Sequence, residues 1–215
     1  MNIKVCGITT LKQLQQLDGL DVDFAGLIFY KQSPRYVGNK ISVDDLKNAD
    51  LDIKTVGVFV NEEYDEIMNI VEEYNLDAVQ LHGDESPYAC EQLADHVEVI
   101  KAFPVSKNGS KTIDQMVAEY DEACDYYLFD TSKNGTSGGT GEKFDWNKLA
   151  EAKVEKPFFI SGGIGPTDAA LVKKFKHPDF FGVDINSLFE KEPGIKDMGL
   201  ILQFVNGLRK SPIQQ

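Results

Sequence analysis

Short apolar runs rich in β-branched and aromatic residues recur along the chain, and the stretches between them repeat apolar residues three and four apart. The runs 3–6, 24–29, 55–60, 78–81, 97–103, 126–130, 157–161 and 180–185 predict strands. Their starts fall about 20 to 30 residues apart, the length of one strand-plus-helix unit. Between them, 10–18 carries Leu11, Leu14 and Leu17, and 62–74 sets Ile67, Ile70, Val71 and Tyr74 on one face. The segment 166–175 opens with a proline suited to a first helical turn, and 197–208 shows Leu200, Ile201, Phe204, Val205 and Leu208. Eight alternations in 215 residues predict an α/β chain folded as a single-domain (β/α)8 TIM barrel over residues 1–215. A doubly wound open sheet is the structural alternative.

Charge changes what such a barrel is able to bind. The formal net charge of -13 argues against a nucleic-acid partner, whose phosphates need a basic face. It also repels any small anionic substrate, which then needs strong local donors such as an arginine or clustered backbone N–H groups. The cysteines Cys6, Cys90 and Cys124 are odd in number and form no CxxC pair, so a reducing, cytoplasmic setting is expected. Met1 leads straight into the first strand run without a signal-like stretch, and no apolar run approaches the roughly 18 to 20 residues of a membrane span. Only three histidines are present, and they are scattered, which argues against a His-built metal centre. No cofactor is expected, and the oligomeric expectation is a monomer or homodimer.

Barrel chemistry belongs at the C-terminal ends of the strands. Side chains alternate along a strand, so with Ile3 and Val5 turned to the helices, Lys4 and Cys6 point inward. A nearby cation favours the thiolate, the form of Cys6 that accepts a proton. An isolated cysteine is more often small buried filler, and Cys90 and Cys124 are read that way. The run 126–130 ends in Asp130, which lies too far from the next helix to cap it and is read as an acid. The glycine-rich stretch after it, with Gly135, Gly138, Gly139 and Gly141, reads as a lid. Gly162 and Gly163 follow the seventh strand, and Asp184, Asn186 and Ser187 sit at the end of the eighth, where this fold recurrently holds phosphate. Arg35 lies after a turn-forming proline and suits a carboxylate, although a solvated loop arginine is the commoner outcome. Gln80 and His82 share the inward face at the mouth and point to ligand contact. Strands one and eight are neighbours in a closed barrel, so Lys4 and Asp184 are expected to pair.

Taken in order, these pieces resemble the phosphoribosylanthranilate isomerase family. The matching stretches are Lys4-Val5-Cys6-Gly7-Ile8-Thr9, Ser33-Pro34-Arg35-Tyr36-Val37, Val56-Gly57-Val58-Phe59-Val60-Asn61 and Gln80-Leu81-His82-Gly83-Asp84-Glu85. They continue with Asp130, Gly138-Gly139-Thr140-Gly141, Phe144-Asp145-Trp146, Ser161-Gly162-Gly163, Val183-Asp184 and Pro193-Gly194-Ile195-Lys196-Asp197. The resemblance implies an Amadori rearrangement of a phosphorylated small molecule in tryptophan biosynthesis. It also implies Cys6 as general base, Asp130 as general acid, Arg35 on the anthranilate carboxylate and phosphate at the ends of strands seven and eight. The acid must be protonated when it acts, so a raised Asp130 pKa is expected.

One departure concerns the phosphate site. The family usually reads Ser-Gly-Val-Glu after strand eight, whereas this chain has Ser187-Leu188-Phe189-Glu190. If that glycine serves a positive φ, the site must rearrange locally around Leu188 while keeping its backbone donors. The competing readings are another phosphosugar isomerase on the same barrel, a Schiff-base lyase using Lys101, and a non-catalytic phosphate-binding barrel.

Overall fold

The eight strand runs close into one parallel barrel, in the order β1-β2-β3-β4-β5-β6-β7-β8, with β8 returning to β1. The computed structural model describes residues 1–105, 111–130 and 146–209. In chain order the elements are β1 (Asn2–Cys6), α1 (Leu11–Asp18), β2 (Phe24–Ile28), α2 (Val43–Lys47), β3 (Lys54–Phe59) and α3 (Tyr64–Tyr74). There follow β4 (Ala78–Leu81), α4 (Pro87–Ala94), β5 (Glu98–Pro104), α5 (Ile113–Val117), β6 (Tyr126–Asp130) and α6 (Trp146–Ala150). The chain continues through β7 (Phe158–Ser161), α7 (Ala169–Lys174) and β8 (Phe180–Ile185), then a hairpin of β9 (Glu190–Glu192) and β10 (Ile195–Lys196), and ends in α8 (Met198–Arg209).

Every expected strand forms within a residue or two of its expected bounds, because each presents two buried faces. Ile3, Val5, Val79, Leu81, Val99, Phe129, Ile160 and Val183 face outward into the layer shared with the helices. Phe24, Val56, Ala78, Ile100, Ala102, Leu128 and Phe159 fill the barrel itself. The helix expected at 166–175 begins three residues later, at Ala169. Asp168 Oδ2 accepts from Gly165 N at 2.8 Å and closes a turn over Pro166, so the proline serves that turn and not the first helical position. At α1 the entry is as expected, with Thr10 capping Gln13 N at 3.3 Å.

The barrel's interior changes character along its axis. At the floor, Phe24, Tyr126, Phe159 and Phe181 contact one another, with centroids 5.5 Å apart for Phe24–Phe159 and 5.1 Å for Tyr126–Phe181. Higher up, the register runs Lys4 beside Asp184, Asp184 beside Ser161 and Ser161 beside Asp130. That polar row crosses four strands just below the C-terminal mouth.

Candidate active site

Cys6 ends β1 on the inward face, 5% exposed, and Gly26 lies beside it on β2. A Cβ at Gly26 would stand 2.8 Å from the Cys6 sulfur, so glycine there is what gives the thiol room. Gly7 then turns the chain at φ +80°, and a Cβ on it would strike Arg35 and Asn186. One residue pair below the thiol, Lys4 Nζ donates to Asp184 Oδ1 at 3.0 Å, fully buried, as the neighbouring strands led us to expect. Burial works against the Lys4 ammonium, but the Asp184 carboxylate and the Cys6 thiol outweigh it and hold Lys4 above its ordinary pKa. The Cys6 thiol is pushed up, chiefly by burial. Lys4 pulls it back, Asp184 raises it further, and Lys196 and the Gly7 amide lower it. Cys90 and Cys124 are buried away from the mouth, and burial raises their thiols to about 11 and about 12.

Asp130 ends β6 at the same rim. Its Oδ2 lies 3.3 Å from His82 Nε2, and the other ring nitrogen, Nδ1, is 2.7 Å from Gln80 Nε2. The loop carrying His82 is braced from below. Glu85 accepts from the backbone N–H groups of Asn61 and Gly83 and from Lys101 Nζ, and Lys101 also donates to the carbonyls of Leu81 and Gly83. That arrangement answers the Schiff-base reading. Lys101 sits beside Leu81 in register, turned out of the barrel, and is spent on an ion pair and two carbonyls. A lyase lysine must reach the mouth; this one holds a loop.

Arg35 arrives over Gly7 and meets Glu190 through two edges, Nε to Oε1 at 2.9 Å and Nη2 to Oε2 at 2.7 Å. Glu190 also accepts from Lys196 Nζ at 2.7 Å and from Gly194 N at 3.0 Å. Lys196 Nζ donates in addition to Asn186 Oδ1 at 2.7 Å. Burial would raise the Glu190 pKa, but Arg35 and Lys196 together hold it below the usual carboxylate value. Burial pulls the Lys196 ammonium down despite its carboxylate partner. Two cations thus share one anion. The β9–β10 hairpin that brings Lys196 here is latched to the start of α1, where Thr9 Oγ1 and Gln13 Nε2 both donate to Gly194 O. Sequence reasoning passed over Gly26, Glu190 and Lys196. The signal for Glu190 and Lys196 was a short charged hairpin closing back on the first strand, and it carries no periodicity.

After β7, Gly162 and Gly163 both take positive φ, +89° and +66°. Nothing would obstruct a Cβ at Gly163, so its backbone conformation alone calls for glycine. After β8, Ser187–Phe189 form a single 3-10 turn, and Leu188 is not among the positive-φ residues. The conformational objection to Leu188 therefore falls away: its side chain is half exposed, and its Cδ1 would lie 3.6 Å from a Cβ on Gly165. The six-residue α7 starts beyond Asp168, and the Gly165 N–H is taken by that side chain, so the glycine turn itself, and not the helix start, faces the mouth. The expected lid, with Gly135, Gly138, Gly139 and Gly141, lies outside the described residues.

A (β/α)8 barrel with a thiol and a carboxyl on one rim, flanked by an arginine and a glycine turn, is laid out to move protons on a small anionic molecule. The model of a family described as N-(5'phosphoribosyl)anthranilate (PRA) isomerase matches residues 3–207. A relative from Parabacteroides distasonis, named N-(5'-phosphoribosyl)anthranilate isomerase, is 40% identical over 207 residues, 95% of this chain and 92% of its own. A structure of monomers of the dimeric Thermotoga maritima isomerase superposes with a TM-score of 0.80 at 31% identity, covering 97% of this chain and 98% of that one. A further isomerase structure, solved with reduced 1-(o-carboxyphenylamino)-1-deoxyribulose 5-phosphate, gives 0.79 at 29% identity, covering 97% and 98%. The chain belongs to the N-(5'-phosphoribosyl)anthranilate isomerase family, enzymes of tryptophan biosynthesis.

Proposed function

We propose that the isomerisation of N-(5-phosphoribosyl)anthranilate to 1-(2-carboxyphenylamino)-1-deoxyribulose 5-phosphate runs here by general acid and base catalysis, with Asp130 as acid and Cys6 as base. Asp130 gives its proton to the ring oxygen while the amine lone pair forms the C1′=N iminium and the C1′–O bond breaks. The iminium acidifies C2′, and the Cys6 thiolate removes that proton, the electron pair forming C1′=C2′ and neutralising the nitrogen. The enolamine then loses its hydroxyl proton and gains one at C1′ to give the ketone. Burial outweighs Lys4 and Lys196 and pushes the Cys6 pKa up, toward the thiol. A bound iminium adds a cation beside it and tips the balance toward thiolate.

Arg35 meets the anthranilate carboxylate. Its Nε and Nη2 are engaged with Glu190, which leaves Nη1 to donate, and Lys196 relieves it of part of that anion. Phosphate settles at the turn of Gly162 and Gly163 and at Asn186 and Ser187, where backbone N–H groups offset the overall charge of -13. Asp184, with Oδ1 taken by Lys4, offers an acceptor for a sugar hydroxyl, and His82 borders the same pocket through Asp130. Residues 1–215 work as one domain in this reading, as a monomer or homodimer in the cytoplasm and without a cofactor. Among the described residues no helix is long and apolar enough to cross a membrane.

The observation that carries the assignment is the shared rim: β1 and β6 end in Cys6 and Asp130 on inward faces of one barrel end. Loss of substrate fluorescence tests it. Cys6→Ser and Asp130→Asn should each lower kcat by roughly 10²-fold or more while KM stays near its original value. Wild-type turnover in either variant would remove that residue from its role.

A further inference from the structure

Among the described residues, the one buried side-chain polar atom without a hydrogen-bond partner is Gln80 Oε1, and Gln80 is 1% exposed. A buried orphan acceptor is unfavourable and calls for a reason. The reason is at the other end of the amide. Gln80 Nε2 lies 2.7 Å from His82 Nδ1, and His82 Nε2 lies 3.3 Å from Asp130 Oδ2.

The orientation of that amide sets where the imidazole keeps its proton. With the NH2 group toward Nδ1, that nitrogen must accept, and the neutral ring carries its proton on Nε2, the nitrogen that lies 3.3 Å from Asp130 Oδ2. Turning the amide round would let Oε1 accept from an Nδ1 proton. It would also place an NH2 group, two donors, where one acceptor now goes without a partner. Orphaned donors are the less tolerated of the two. The orientation with the NH2 group on the ring is therefore the favoured one. Gln80 is itself fixed, standing mid-sheet between Val58 and Ile100, and the His82 loop is held by Phe59 O and by the Glu85–Lys101 brace.

We propose that Gln80 is a positioning residue for the acid: it locks His82 in the Nε2–H tautomer, and His82 then holds the Asp130 carboxyl by a hydrogen bond. That bond strengthens as Asp130 becomes negative, so it favours departure of the proton toward the sugar ring oxygen. Among the described residues, the other carboxylates near the ring have partners of their own. Asp184 is neutralised by Lys4, and Glu85 is turned to Gly83 and Lys101. The inference rests on Asp130 being the acid, and its test separates the two.

Nitrogen-15 NMR of the histidines, recorded one to two units above the ordinary histidine pKa of about 6.5, reads the tautomer directly. His82 should show Nε2 protonated and Nδ1 bare in the wild-type chain. Gln80→Leu should lose that preference, with kcat falling about tenfold at unchanged KM, the worth of one hydrogen bond to a charged group. Its denaturation midpoint should hold or rise, because the orphaned acceptor goes with the amide. A merely structural glutamine would move the midpoint down and leave the ratio of kcat to KM effects unsorted. In the Asp130→Asn background, Gln80→Leu should add almost nothing. A wild-type His82 with its proton on Nδ1 would overturn the lock, as would full kcat in Gln80→Leu or a further tenfold loss in the double variant. Full turnover in Asp130→Asn alone would overturn the acid assignment and this inference with it, whatever tautomer His82 then shows.

Discussion

The two ends of the barrel interior are built by opposite rules. At the floor, Phe24, Tyr126, Phe159 and Phe181 pack ring edge against ring face, and position matters only as far as volume and shape demand. At the mouth, nearly every group is charged and contacts are specific: Lys4 donates to Asp184, Arg35 and Lys196 donate to Glu190, and His82 stands 3.3 Å from Asp130. The same eight strands support both, because a period of two lets successive inward positions differ completely in chemistry. The mouth also holds two irregularities, the orphaned Gln80 oxygen and the unusual backbone of Asn186 at φ -147°, ψ -100°. An orphaned buried acceptor and an uncommon backbone conformation are each unfavourable, and each calls for a reason other than packing.

Each end has a large side chain that is fully buried, Phe159 at the floor and Lys4 at the mouth. Phe159→Ala at the floor and Lys4→Met at the mouth should each destabilise the fold by about 3–5 kcal/mol, one by leaving a cavity and the other by stranding the Asp184 carboxylate. Urea unfolding should place them side by side. Thiol alkylation should separate them. Lys4 lowers the Cys6 pKa and Asp184 raises it, so removing the lysine moves the alkylation pKa upward. Phe159→Ala should leave it where it was. An unmoved alkylation pKa in Lys4→Met would mean that the buried cation is spent wholly on Asp184.

Those two ends were unequally legible in the sequence. The floor and the outer layer follow from alternation alone, and even Lys4 and Asp184 could be paired in advance, because closure makes the first and last strands neighbours. Cys6 and Asp130 could be singled out by their place at strand ends, and Arg35 by the turn-forming proline before it. What alternation does not carry is contact between loops. Glu190 and Lys196 reach Arg35 only because the β9–β10 hairpin folds back on Thr9 and Gln13, some 180 residues earlier in the chain. The late start of α7 was hidden for a similar reason. Asp168 serves a turn over Pro166, and the proline looks the same in either role. Gly26 gave no sign at all, since a glycine needed for a neighbour's sulfur reads like any glycine in a strand.

Lys196 sharpens the contrast with a smaller effect. It is buried, shares Glu190 with Arg35, and lowers the Cys6 pKa. Lys196→Met removes a cation that favours thiolate, so the thiol pKa, already above its ordinary value, rises further. The sign for the rate follows: thiolate grows as pH rises, so the alkaline rise of kcat/KM should shift to higher pH and activity at neutral pH should fall. Glu190 also turns wholly to Arg35, which should raise KM. We expect each change to be about three- to tenfold, the scale of one screened charge contact. A pH–rate profile that superposes on the wild type would show that Lys196 serves only the hairpin.

The smallest effect tests whether the mouth tolerates substitution anywhere. Leu188 stands where the family resemblance led us to expect glycine, yet its turn is an ordinary 3-10 one without positive φ. Its side chain is half exposed and reaches toward Gly165, above the glycine turn assigned to phosphate. Leu188→Gly therefore gains no conformational relief and frees the unfolded chain, which costs the fold about 0.5–1 kcal/mol of stability. KM for the phosphorylated substrate should change less than twofold, because the donors assigned to phosphate are backbone groups that both residues possess. A fall in KM of tenfold or more would mean that the leucine side chain crowds the phosphate, and that the mouth is as intolerant at its rim as it is along the Lys4–Asp184 row.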